Sequence, residues 1–152
     1  VGQALSAYPA GTPAVVVADG TAPAWRPASF SRVIPDVPCS GLGALRRRPE
    51  SRWRRSPADV AQLAPLQRDL LRAALDAARP GGVVAYVTCS PHRAETVAVV
   101  DDVLAERSDT IRLRAADHLP GVPHCARGDD VQLWPHRHGT DAMYLALLQR
   151  KS

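Results

Sequence analysis

The strongest constraint on this chain is a long helical pattern that stops abruptly and gives way to an uncharged strand pattern. From Pro57 to Ala78, the residues Val60, Leu63, Leu66, Leu70, Leu71, Ala74 and Leu75 recur near a period of 3.6. Ser56 is a good N-cap, Pro57 suits the first helical position, and Asp59 puts negative charge at the positive end of the helix dipole. Pro65 lies inside the stripe, where its ring predicts a kink. Arg79-Pro80-Gly81-Gly82 is a stop signal. Val83–Thr88 (VVAYVT) then reads as a strand, apolar enough to be buried on both faces.

The alternation extends in both directions. Ala14–Ala18 (AVVVA), closed by Asp19-Gly20, reads as a buried strand, and Phe30–Pro35 as a second one. A further helix is expected over residues 93–106, then an edge strand over 110–114 and a polar loop over 115–130. Residues 131–134 and 143–148 read as an antiparallel hairpin. Helices between strands are the crossovers that bring parallel strands side by side. The expected class is therefore α/β, a mainly parallel sheet with a C-terminal antiparallel hairpin. No G-x-G-x-x-G turn follows a first strand, and Gly41-Leu42-Gly43 is not one, because an Arg run follows it. The pattern reads as the second half of a larger α/β domain.

With 152 residues, 45% of them apolar and 22% charged, the chain supplies the core of about one domain and is not a disordered polymer. No apolar run approaches the roughly 18 residues that span a bilayer, so no membrane partner is expected. The start VGQALSAYPAG lacks a signal-peptide pattern, and three cysteines without a leader argue against a disulfide framework. A cytoplasmic location with reduced thiols is the expectation. Met143 is the only methionine, which suggests a piece of something longer. The net charge of +4 permits an anionic partner without demanding one. It is concentrated: Arg46, Arg47, Arg48, Arg52, Arg54 and Arg55 surround Trp53. Such a run is either a solvated face or a match for phosphate.

Ligands of open α/β sheets bind beyond the C-terminal ends of the strands. Three such ends carry reactive residue types: Asp19-Gly20, Asp36-Val37-Pro38-Cys39-Ser40-Gly41 and Thr88-Cys89-Ser90-Pro91. A helical crossover joins the last two, so Cys39 and Cys89, 50 residues apart, should meet at one rim. Each is open to reading as a small buried core thiol, or the two as a disulfide. Flanking Pro and Ser at both sites favour a reactive pair, which needs a raised thiolate fraction. His124-Cys125 and His136-Arg137-His138 fit no zinc spacing, and no metal is expected. A redox role would call for C-x-x-C, which is missing.

The succession Asp36-Val37-Pro38-Cys39-Ser40-Gly41-Leu42-Gly43, the Arg run, Leu66-Gln67, Pro80-Gly81-Gly82, Tyr86-Val87-Thr88-Cys89-Ser90 and Leu133–Asp141 resembles the motifs of the Fmu/Sun (RsmB-like) RNA cytosine-C5 methyltransferases. The resemblance implies a Rossmann-like fold that uses S-adenosyl-L-methionine. It implies that Cys89 is the nucleophile, that Cys39 assists release, and that Asp36 contacts cofactor or base. It also implies that Asp19 contacts the cofactor, and that Arg46, Arg47, Arg48, Arg52, Trp53, Arg54 and Arg55 face RNA. Ribosomal RNA, 16S first, is the implied substrate; transfer RNA or a non-catalytic RNA-binding module are the alternatives. That family's Gly-rich first motif and N-terminal RNA-binding domain have no counterpart in residues 1–152. The expectation is a partial catalytic domain with very weak cofactor affinity and negligible turnover alone.

Overall fold

The structure, a computed structural model, describes residues 14–152. Strand β1 (Phe30–Val33) is followed by a short helix α1 (Ser51–Arg54) and the long helix α2 (Pro57–Ala77). Strand β2 (Ala78–Thr88) comes next, then α3 (Val97–Ala105), β3 (Thr110–Leu113), β4 (Ala126–Arg127), β5 (Asp130–Gln132), α4 (Pro135–His138) and β6 (Tyr144–Arg150). Helix α2 starts where its sequence says it should. The Ser56 N–H and hydroxyl both donate to the Asp59 carboxylate, at 2.7 and 3.1 Å, which satisfies the helix start and holds that carboxyl below the usual range.

The strands form one sheet in the order β1-β2-β6-β5-β4, with β3 beside β6. Strand β1 is parallel to β2, while β6 is antiparallel to β2, β3 and β5. It follows that β1, β2, β3 and β5 all run one way, and β6 is driven between β2 and β3 in reverse. The Rossmann-like α/β class holds, with a correction to its pairing. Among the described strands only β1–β2 is a parallel neighbour pair, because β6 separates the strands that a crossover would otherwise join.

Helices α2 and α3 lie on the same face of the sheet. Leu71, Leu75, Val99, Val100 and Val103 pack there against Val84, Tyr86, Tyr144 and Leu148, all fully buried. The Tyr86 and Tyr144 rings meet edge to face at 6.2 Å. On the opposite face a smaller cluster joins Ala115, Cys125 and Val131. Strand β2 is thus buried on the helix face only, and Val83, Ala85 and Val87 on the other are half-buried.

The remaining elements differ in part from expectation. Ala14–Ala18 is not a strand: it pairs with nothing among the described residues, and Val15, Val16 and Val17 are exposed. The stop signal at Arg79–Gly82 ends the helix at Ala77 as expected, but the strand starts at Ala78 and not at Val83, pairing there with Phe30 through a register shift. Helix α2 contains Pro65 and continues past it to Ala77. Residues 93–106 are not one helix. A 3-10 turn over Arg93–Glu95 meets α3 at Thr96, whose φ of −124° and ψ of −107° break the helical path.

Candidate active site

The β1 segment continues past Val33 as an irregular edge along β2. Val87 N–H donates to Pro35 O, and Asp36 forms a parallel bridge to Val87. This delivers Pro38-Cys39-Ser40 to the C-terminal end of β2, where Thr88-Cys89-Ser90 emerges. The two sulfurs lie 3.2 Å apart, half-buried. The chain then turns at Gly41, in the left-handed region with φ of 72°, and crosses back at Gly43. Gly43 N–H donates to Cys89 O, and Gly43 O accepts from Ala142 N–H, both at 2.9 Å. Three segments are thereby pinned behind the sulfur pair.

A buried carboxylate ties the same loops from the other side. Glu95 Oε1 accepts from Ser40 N–H at 2.6 Å, and Oε2 accepts from the hydroxyls of Ser40 and Ser90, each at 2.6 Å. Gln67 Nε2 donates to Pro38 O at 2.8 Å and to Glu95 Oε1 at 3.3 Å. The Tyr86 hydroxyl donates to the Glu95 backbone carbonyl.

The sulfurs open on a cleft of about 490 Å³ walled by Asp36, Arg47, Arg48 and Arg55. Arg47 is held by Asp141 through two nitrogens, and Arg46 lies 3.9 Å from the same carboxylate. This pairing holds the Asp141 carboxyl below its usual range. Cys89 is pushed down to about 7, first by the hydrogen bond from Cys39, against burial and the charges of Asp36 and Asp141. Cys39 is driven well above the ordinary thiol range, because it supplies that hydrogen bond and is itself desolvated. The first proton to leave the pair therefore leaves a Cys89 thiolate solvated by a Cys39 thiol.

The family model described as 16S rRNA methyltransferase RsmB/F matches residues 5–149. The chain belongs to that family. The putative methyltransferase Rv1407 of Mycobacterium tuberculosis is 59% identical over 121 residues, covering 80% of this chain and 26% of that protein. The probable ribosomal RNA small subunit methyltransferase B of Synechocystis is 36% identical over 120 residues, covering 78% of this chain and 27% of that one. The crystal structure of PH0851 superposes with a TM-score of 0.74 at 28% identity, over 82% of this chain and 27% of the other. The chain thus spans about a quarter of the length of the curated relatives it matches.

Among the residues singled out from sequence, Cys39, Cys89, Asp36, Arg47, Arg48 and Arg55 do converge on one cleft. Trp53 is 83% exposed, with the Arg52 guanidinium 6.0 Å from its ring centre. Arg48, Arg52, Arg54 and Arg55 have no carboxylate partner among the described residues. Arg46 and Arg47, in contrast, are matched by Asp141. Asp19 is not drawn into the cleft; its carboxylate caps its own turn, accepting from Thr21 N–H and hydroxyl. Of the histidines weighed as ligands, His138 serves the fold: its Nδ1 accepts from Trp134 N–H, and its Nε2 lies against Pro123 O. Cys125 is buried in the second cluster. No described helix is long and apolar enough to cross a membrane. Sequence reasoning missed Glu95 and Asp141. Glu95 was read as one polar residue of a longer helix, and Asp141 as the end of a loop. Asp141 carried one signal, its place at the end of the Leu133–Asp141 motif, and Glu95 carried one, a carboxylate five residues after Ser90.

Proposed function

We propose that this chain carries the reacting centre of an RNA cytosine-C5 methyltransferase, with Cys89 as the nucleophile and 16S ribosomal RNA as the first-choice substrate. The observation that carries the reading is the sulfur pair at 3.2 Å, opening on an arginine-walled cleft. S-adenosyl-L-methionine supplies an electrophilic methyl group when bound. The described residues fit one end of such a donor: Asp36 is exposed at the strand end, on the cleft, and its charge suits a sulfonium. Among the described residues, 14–18 are exposed and Asp19 is taken up by its own turn, so they form no cradle for the remainder.

C5 of cytosine is a poor nucleophile, because the ring is aromatic and electron-poor. Addition of the Cys89 thiolate to C6 saturates that bond and moves electron density to C5, which then forms the bond to the methyl carbon as the methyl–sulfonium bond breaks and leaves its electron pair on a neutral thioether. The C5 proton must leave before the C6–S bond breaks. The Cys39 thiol is placed to donate its hydrogen bond to the departing sulfur, which stabilises the thiolate that leaves. The target base has to be unpaired or flipped, since C6 is unreachable within a stack. Arg48, Arg52, Arg54 and Arg55 supply charge for phosphate, and Trp53 a stacking face.

The test is covalent trapping on RNA containing 5-azacytidine, in the full-length parent protein with methyl donor present. The expected result is an adduct that survives denaturation, is lost in Cys89→Ser and persists in Cys39→Ala. RNA binding with no adduct at all would support the non-catalytic module instead. Comparison of 16S ribosomal RNA with transfer RNA as the carrier decides the substrate.

A further inference from the structure

We propose that Glu95 is a positioning residue: its carboxylate clamps the residue that follows each cysteine and so fixes the contact between the two sulfurs. The two loops come from different strand ends and, among the described residues, share no other carboxylate that bonds to both. Ser40 follows Cys39 and Ser90 follows Cys89, and both hydroxyls donate to the same oxygen, Oε2, at 2.6 Å. The other oxygen takes the Ser40 N–H, which fixes backbone as well as side chain. Gln67 extends the clamp to Pro38 and anchors it on α2. Glu95 is fully buried, as are Ser40, Ser90 and Gln67. A buried carboxylate is costly unless hydrogen-bonded on both oxygens, and these donors provide that. Glu95 itself does not line the cleft, so it acts through the cysteines and touches neither base nor donor.

The break at Thr96 is what makes this possible. A continuous helix over 93–106 would carry Glu95 around with its own turn. The 3-10 turn instead presents the carboxylate to the two loops, with the Tyr86 hydroxyl holding its backbone carbonyl. The inference rests on the proposed function only for its catalytic consequence; the geometric claim stands without RNA or methyl donor.

The experiment is the rate of Cys89 alkylation by iodoacetamide against pH, read by mass spectrometry of the Cys89 peptide in the 152-residue chain. The titratable groups acting on Cys89 are Cys39, Arg47, Asp36 and Asp141, and none of these is altered by the variants; the Glu95 variants also remove the Glu95 charge, which Ser90→Ala leaves in place. The wild-type midpoint is expected near 7. Ser90→Ala removes one strand of the clamp and Glu95→Ala all of them, and each should raise the midpoint by about 1 unit toward the ordinary thiol value. Glu95→Gln keeps an oxygen for the Ser40 N–H and should fall between wild type and Glu95→Ala. A purely structural role would lower the melting temperature and leave the midpoint of the folded protein where it was. Midpoints in folded Ser90→Ala and Glu95→Gln that match wild type overturn the inference. So does a wild-type midpoint near that of a free thiol, which needs no variant. Loss of trapping with an intact midpoint shift would sink the methyltransferase reading and leave the clamp standing.

Discussion

Gly43 offers the sharpest test of how the site is held. A Cβ at this position would lie 2.2 Å from the Ala142 carbonyl oxygen and 2.6 Å from that of Cys89. Ordinary contact begins at 3.4 Å, so in Gly43→Ala these segments must separate by roughly 1 Å. Neither neighbour is a side-chain tip that can swing away; both are backbone, and both bond to Gly43 itself. Loss of those two hydrogen bonds at about 1 kcal/mol each, with overpacking strain of about 1–3 kcal/mol, gives about 3–5 kcal/mol of destabilisation. That is a large part of the 5–15 kcal/mol that holds a typical domain, so the assay is urea unfolding followed by tryptophan fluorescence. In whatever fraction remains folded, Cys89 is displaced by the same shift, and a misplacement on the order of 1 Å costs about 100-fold in a positioned reaction. Gly121→Ala is the control, since nothing lies within 4 Å of its Cβ. An unfolding free energy for Gly43→Ala within about 0.5 kcal/mol of wild type, with Cys89 alkylation unchanged, would refute the reasoning.

Cys39→Ala removes the hydrogen bond that stabilises the Cys89 thiolate, so the alkylation midpoint should move up from about 7, and the rate at pH 7 should fall. The sign carries over to stability: a thiol depressed on folding contributes stabilisation that is present above its unfolded value of about 8.5 and lost as pH falls through about 7. Wild type should therefore gain stability relative to Cys39→Ala between those limits in a pH series of denaturant melts, and parallel curves would contradict it. Replacing Arg48, Arg52, Arg54 and Arg55 together by Gln should flatten the plot of log affinity for single-stranded RNA against log salt by up to about 3, with no change in melting temperature; an unchanged slope would show that these side chains do not meet phosphate. Trp53→Ala should leave unfolding within about 0.5 kcal/mol of wild type while weakening single-stranded RNA binding by about 1–3 kcal/mol in fluorescence titrations, and equal affinity would exclude stacking. Leu71→Ala, at a fully buried position under the sheet, should cost about 2–5 kcal/mol in urea unfolding; a smaller loss would mean the core relaxes around it.

What could be read from sequence was what is encoded locally. The start of α2 is written in Ser56, Pro57 and Asp59, and its buried face in Leu71, Ala74 and Leu75. The meeting of Cys39 and Cys89 was legible too, because a helical crossover leaves few options for where two strand ends go. Illegible features depend on partners distant in sequence. Ala14–Ala18 has strand composition, but a strand exists only where another edge accepts its hydrogen bonds. Arg79–Gly82 has loop composition, yet Ala78 finds Phe30 across the sheet and draws it into β2. Glu95 sits at helical spacing, and only the two serines waiting on separate loops turn it inward. Asp141 needed Arg47, 94 residues away.

The placement of β6 has a consequence for how the chain is made. The last of the described strands occupies the middle of the sheet, with β2 on one side and β3 and β5 on the other. During synthesis, β1 to β5 have all left the ribosome before residues 144–150 arrive, and until then β2 and β3 wait with unfilled ladders. A nascent or prematurely terminated product ending short of Tyr144 would present those edges to other molecules, and it should be a substrate for chaperones and proteases, not a smaller version of the same fold.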